Sequence, residues 1–86
     1  MADYRKELSI KQLKEKTNNA VMSELKGYFR NNEKELKYEE NDIITFEVFD
    51  DEELESVLVY INKRHVITLD PYVKGYYFFK GMIKLL

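Results

Sequence analysis

The stretch that most constrains this chain is Glu55–Leu69, ESVLVYINKRHVITL. Two runs of β-branched and aromatic residues, Val57–Ile61 and Val66–Leu69, flank a short polar break, Asn62-Lys63-Arg64-His65. The pattern predicts an antiparallel hairpin at the centre of a sheet, with a connection of two to four residues. The register stays open, because a one-residue slip would move His65 to the other face. A helix is the competing reading: Leu54, Val57, Leu58 and Ile61 also fit three-and-four spacing, with Asp51 as N-cap and Lys63/Arg64 at the end. The density of β formers and the alternation His65-Val66-Ile67-Thr68-Leu69 favour strands.

Upstream, Met1–Leu8 is short and charged, and reads as a tail or a first helical turn. Ser9-Ile10-Lys11-Gln12 fits a capping box, with Leu8 and Leu13 at the hydrophobic-staple positions. Ile10, Leu13, Thr17, Val21, Leu25, Tyr28 and Phe29 then form one helical stripe to about Arg30. This favours one continuous helix. Asn18-Asn19 is its weak point and would divide it into two, and Gly27 costs about 1 kcal/mol relative to Ala. From Glu33 the period becomes two: Leu36 and Tyr38 alternate with charged residues, and Ile43–Phe49 places Ile44, Phe46 and Val48 opposite Thr45 and Glu47. Asp50-Asp51-Glu52-Glu53 reads as a solvated loop tip. At the other end, Asp70-Pro71 ends the hairpin, and Tyr76–Leu86 reads as a last strand with Gly81 at a bulge. A helix capped by Asp70 with Pro71 at its first position competes there.

The fold class expected from these elements is α+β. An N-terminal helix, open to division at Asn18-Asn19, packs on a four- to five-stranded antiparallel meander within one domain spanning 1–86. Seven Tyr and five Phe let so short a chain bury a large area per side chain.

Several chemistries are excluded or disfavoured. With no Cys, disulfides and thiolate sites cannot form. The sole imidazole, His65, sits beside Arg64 and reads as a turn residue; Ser9 already has a capping role, and no nucleophile-elbow pattern is present. Gly27, Gly75 and Gly81 fit no phosphate-cradling fingerprint. The acids 50–55 lack the spacing and the glycine of a calcium loop. Glu35-Leu36-Lys37 has the Glu-x-Lys form of some nucleases but no upstream Asp on a strand. No apolar run approaches the roughly 20 residues of a membrane span, and Met1–Glu7 is unlike a signal peptide. The expectation is a cytoplasmic, non-enzymatic protein without cofactor, metal or membrane.

Charge is the informative feature. The net −2 conceals a segregation: residues 33–55 hold eleven acids and two lysines, whereas 1–32 and 56–86 are net positive. Nine excess negative charges within 23 residues exceed what solubility requires. The expected function is therefore that of a small inhibitor or adaptor. Its acidic face, Glu39, Glu40, Asp42, Glu47, Asp50, Asp51, Glu52, Glu53 and Glu55, engages a basic partner surface by imitating phosphates. The Lys/Glu/Asn/Ile/Tyr-rich composition suits an accessory protein of an AT-rich genome, its mobile elements or a phage.

The alternative is nucleic-acid binding. Ile10–Thr17, a break at Asn18-Asn19 and Ala20–Arg30 resemble a helix-turn-helix, with Lys11, Lys14 and Lys16 as phosphate contacts. Lys14 stands where a small residue should be, and Asn19 where an apolar one should be. Lys74–Phe79 resembles the Lys-Gly-aromatic signature of RNA-recognition motifs, although Tyr77 and Gly81 break that pattern. What remains is an aromatic–basic stripe, Tyr76, Phe78, Lys80 and Lys84, on a half-exposed last strand. Such a strand would also pair with its symmetry mate, giving a homodimer.

Overall fold

A computed structural model of the chain describes residues 2–86. The elements are β1 (Tyr4–Ser9), α1 (Ile10–Thr17), α2 (Ala20–Asn31), β2 (Ile43–Phe49), β3 (Ser56–Ile61), β4 (Arg64–Leu69) and α3 (Tyr76–Lys84). The fold is α+β, three helices and one four-stranded antiparallel sheet in the order β1-β2-β3-β4.

β2 and β3 form where the alternating pattern places them, in the register Ile44↔Ile61, Phe46↔Val59 and Val48↔Val57. These six side chains share one face and are buried. β3 joins β4 through a two-residue turn, Asn62-Lys63, with φ of 50° and 67°. Positive φ at both positions is what the commonest hairpin loops require, and asparagine tolerates it well. His65 is thus a strand residue and not part of the turn. It faces Tyr60, with ring centroids 5.6 Å apart, and its Nε2 lies 2.7 Å from the Thr68 hydroxyl.

Ser9 caps α1 as its motif predicts: the Gln12 N–H donates to Ser9 Oγ and the Ser9 N–H donates to Gln12 Oε1, both at 3.1 Å. The helical stripe is nonetheless divided at Asn18-Asn19. Both asparagines adopt left-handed φ, 50° and 67°, and the Asn19 N–H closes α1 on the Lys14 carbonyl. Two polar residues able to occupy that region end the helix more cheaply than continuing through it would.

Three other expectations give way. Tyr4–Ser9 is a strand, paired from Tyr4↔Val48 to Ser9↔Ile43. Its side chains alternate between half-buried and exposed, but Lys6, whose ammonium reaches the Leu86 carbonyl at 2.8 Å, disguises the inward row. Leu36 and Tyr38 pack against the core from an extended segment that joins no sheet, so four strands form and not five. Tyr76–Lys84 is a helix and not a strand. It starts from neither Asp70 nor Pro71 but from Gly75, at φ 84°, where a Cβ would meet the Tyr28 hydroxyl at 3.2 Å.

Ile10 and Leu13 of α1, Val21, Met22 and Leu25 of α2, and Tyr76, Phe79 and Ile83 of α3 join the buried face of β2 and β3 in one hydrophobic cluster. Phe79 sits between Tyr28 and Phe46, edge-to-face at 5.5 and 6.0 Å, and each such contact adds about 0.5–1.5 kcal/mol beyond area burial. The other sheet face carries Arg5, Glu7, Thr45, Glu47 and Tyr60, a polar side such as antiparallel sheets tolerate, on which Thr45 is buried and donates to Glu7. Among the described residues no helix is long and apolar enough to cross a membrane.

Candidate partner-binding surface

The seven residues of β2 separate the acidic segment into two groups. At about 3.3 Å per residue, the acids before the strand lie roughly 20 Å from those after it. The nine carboxylates named from sequence therefore do not form one continuous face.

In the group before β2 the Asp42 and Glu40 carboxylates serve the fold, whereas Glu39 contributes its backbone N–H. Asp42 Oδ2 accepts the Glu39 N–H at 2.8 Å, and Oδ1 accepts the Asn62 side-chain amide at 3.0 Å. The Glu39 N–H first, then Asn62, hold the Asp42 carboxyl below the usual carboxylate range. Glu40 pairs with Lys14 at 2.7 Å. Glu47 lies apart from both groups on the polar face of the sheet, where its carboxylate raises the Tyr60 pKa.

The group after β2 is built differently. Asp50 and Glu55, at the two ends of the β2–β3 loop, converge on Lys80 of α3, Glu55 at 2.9 Å. Lys84 adds a contact to Asp50 at 3.6 Å. Helical spacing explains this, since residues four apart stack on one side of α3. The Lys80 side chain is only 12% exposed. Burial by itself would lower its pKa, but the hydrogen bonds to Asp50 and Glu55 outweigh that and hold the ammonium above the usual lysine range. In return Lys80 holds Asp50 below the usual carboxylate range. Burial pushes the Tyr4 and Tyr76 hydroxyls beside this pin up to about 12, so both remain neutral at physiological pH.

Between the pinned ends, Asp51, Glu52 and Glu53 are exposed and make no ion pair among the described residues. The loop turns on itself, with the Leu54 N–H donating to the Asp51 carbonyl at 2.9 Å and the Glu53 N–H to Asp51 Oδ1 at 3.1 Å. Leu54 is left 67% exposed beside these acids.

Two carboxylates missed in the sequence belong to this end of the sheet. Asp3 accepts the Asp50 N–H, and Asp70 follows Leu69, which pairs with Val57. Neither is marked by local sequence. Strand pairing alone brings them there.

The aromatic–basic stripe expected at the C-terminus does not exist. On a helix Tyr76 turns inward and is 1% exposed, Lys80 is held by two carboxylates, and Lys84 contacts Asp50. Phe78 alone of the stripe stands clear of ion pairs and exposed, next to Tyr77, whose hydroxyl lies 3.5 Å from Glu55. Of the α1 lysines, Lys11 and Lys16 are exposed, whereas Lys14 is bound to Glu40 and, with Lys26, lies over the Tyr38 ring at 5.0 and 5.5 Å. Burial would raise the Tyr38 pKa, but Lys26 and Lys14 outweigh it and lower it.

Among the described residues no group of three or more His, Asp or Glu side chains is placed to hold a metal ion. No protein-family model, curated protein or solved structure matches the chain.

Proposed function

We propose that this protein is a small non-enzymatic binding module, an inhibitor or adaptor, that engages a basic partner surface through the β2–β3 loop. The observation that carries this reading is the division of labour within the loop. Lys80 pairs with and anchors its ends, while Asp51, Glu52 and Glu53 make no ion pair at the tip. A loop held at both ends loses less freedom on binding than a mobile one, so more of the electrostatic attraction appears as affinity. Carboxylates concentrated at one end of the molecule also steer a cationic partner and speed encounter. Asp3 and Asp70 enlarge the same field, whereas Glu39, Glu40, Asp42 and Glu47 lie outside it.

The test is the variant Asp51→Asn/Glu52→Gln/Glu53→Gln. Immobilised wild-type protein is expected to retain a basic protein from host extract and to release it as salt rises, and the variant to lose that capture while melting unchanged. Equal capture by the variant overturns the reading.

The division at Asn18-Asn19 favours a second reading, in which α1 and α2 bind nucleic acid through Lys11, Lys16 and Arg30. Direct phosphate contact predicts affinity for DNA or RNA that falls steeply with salt. Titrations at low salt with single- and double-stranded DNA and RNA that give no shift eliminate it.

A further inference from the structure

We propose that the outer face of α3 is the apolar half of the same docking surface, and that its occupant is a cationic amphipathic helix of the partner. This rests on the reading of the β2–β3 loop as a binding element. Six large hydrophobic side chains are exposed among the described residues, and five of them lie on α3, on the approach to it or on the acidic loop. Tyr77, Phe78 and Leu85 lie on α3 or at its end, Tyr72 lies on the approach to it, and Leu54 lies on the acidic loop beside it. Scattered exposed hydrophobics are ordinary, but Tyr77, Phe78 and Leu85 on one helix, beside an acidic loop, are candidates for an interaction site.

Helical geometry sorts these residues. Tyr76, Phe79 and Ile83 point into the core, and Tyr77, Phe78, Gly81 and Leu85 occupy an arc of about 100° on the opposite side. Gly81 is central to that arc. A Cβ there would meet nothing within 4 Å, so the fold does not require glycine at this position, and glycine is a costly residue inside a helix. With no side chain there, the face between Tyr77 and Leu85 is bare backbone, a saddle in the helix surface that another backbone could approach closely.

Charge decides the occupant. Tyr77 borders the loop, its hydroxyl 3.5 Å from Glu55, so anything seated on the saddle lies beside Asp51, Glu52 and Glu53. A second copy meeting this face with the same face would bring like charges together, because Lys80 and Lys84 are already engaged by Asp50 and Glu55. An anionic membrane would be repelled for the same reason. A helix with one apolar stripe and lysines or arginines along its flank fits both halves.

The probes are two synthetic helical peptides of equal positive charge, one with a leucine stripe and one with serines in its place, titrated against the folded protein at physiological salt. The leucine peptide is expected to bind at least about tenfold more tightly, the worth of one buried leucine-sized side chain. Gly81→Leu fills the saddle and should abolish that advantage while preserving helicity. Asp51→Asn/Glu52→Gln/Glu53→Gln should weaken both peptides. Equal affinity for the two peptides overturns this inference and leaves the acidic-loop reading standing, whereas no binding of either overturns both. Concentration-dependent self-association lost in Gly81→Leu, or binding to anionic vesicles lost in Leu85→Ser, also overturns it by giving the face another occupant.

Discussion

The two acidic turns flanking β2 are similar in composition and opposite in fate. In the first, Asp42 bonds the Glu39 N–H and the Asn62 amide, and Glu40 bonds Lys14; the turn also receives the start of α1, since the Ile10 and Lys11 N–H groups donate to the Asp42 and Glu40 carbonyls. In the second, one lysine from a distant helix takes the two end carboxylates and leaves the middle three to solvent. Acidic composition therefore says little about availability. What matters is how many donors the surrounding fold aims at the turn.

That contrast can be tested directly. The largest effect is expected at the pin. Lys80→Ala leaves two partly buried carboxylates facing each other without their cation and should cost about 2 kcal/mol. Chemical denaturation measures it, and a loss no greater than that of an exposed lysine would show that the second turn holds itself. At the first turn, Ser9→Ala removes the capping acceptor of the helix that starts there and should cost about 1 kcal/mol by the same measurement. Unchanged stability would mean that the turn does not depend on α1.

Acid weakens both turns. Asp42 and Asp50 both titrate below their ordinary 3.8. Because their folded values are depressed, their stabilising contribution is complete above about pH 5 and is lost as pH falls through those folded values. Melting temperature should stay level from about pH 7 to 5 and then fall below about pH 4. Asp50→Asn should flatten part of that fall, and melts with an unaltered acid slope would refute the pin as an acid-side contributor. The smallest effect belongs to the loop tip: Asp51→Asn/Glu52→Gln/Glu53→Gln should change stability by no more than about 0.5 kcal/mol, since these side chains make no ion pair and the local Asp51 bond to the Glu53 N–H can be kept by asparagine. A larger loss would place them among the structural acids.

The legible parts of the fold were local. The Ser9–Gln12 box, the Ile43–Phe49 alternation and the polar break after Ile61 each declare themselves within a few residues, and the structure places a cap, a strand and a hairpin turn there, the turn narrowed to Asn62-Lys63. β1 was illegible because its partner, β2, begins only after the two helices, and because an inward lysine breaks the alternation. α3 was illegible because YYFFKGMIKLL is apolar enough to satisfy either period. Its helix is settled by Gly75, at positive φ against Tyr28, whose hydroxyl lies 3.3 Å from the Gly75 carbonyl, a contact across 47 positions. For the candidate surface the charge imbalance was readable, but its partition was not. Only the strand between the two turns, and Lys80 arriving from α3, determine which carboxylates remain free.

The long reach of β1 has a consequence for how the molecule assembles. Tyr4–Ser9 is made well before Ile43–Phe49, and a helical hairpin lies between the two strands in the chain. Antiparallel β2, β3 and β4 can zip locally once translated, and the sheet then closes at the β1 edge with the full loop-closure entropy of the intervening segment still to overcome. Until it does, β2 offers an open edge to any neighbour, which makes exchange of the first strand between two molecules the misassembly to which this topology is most exposed.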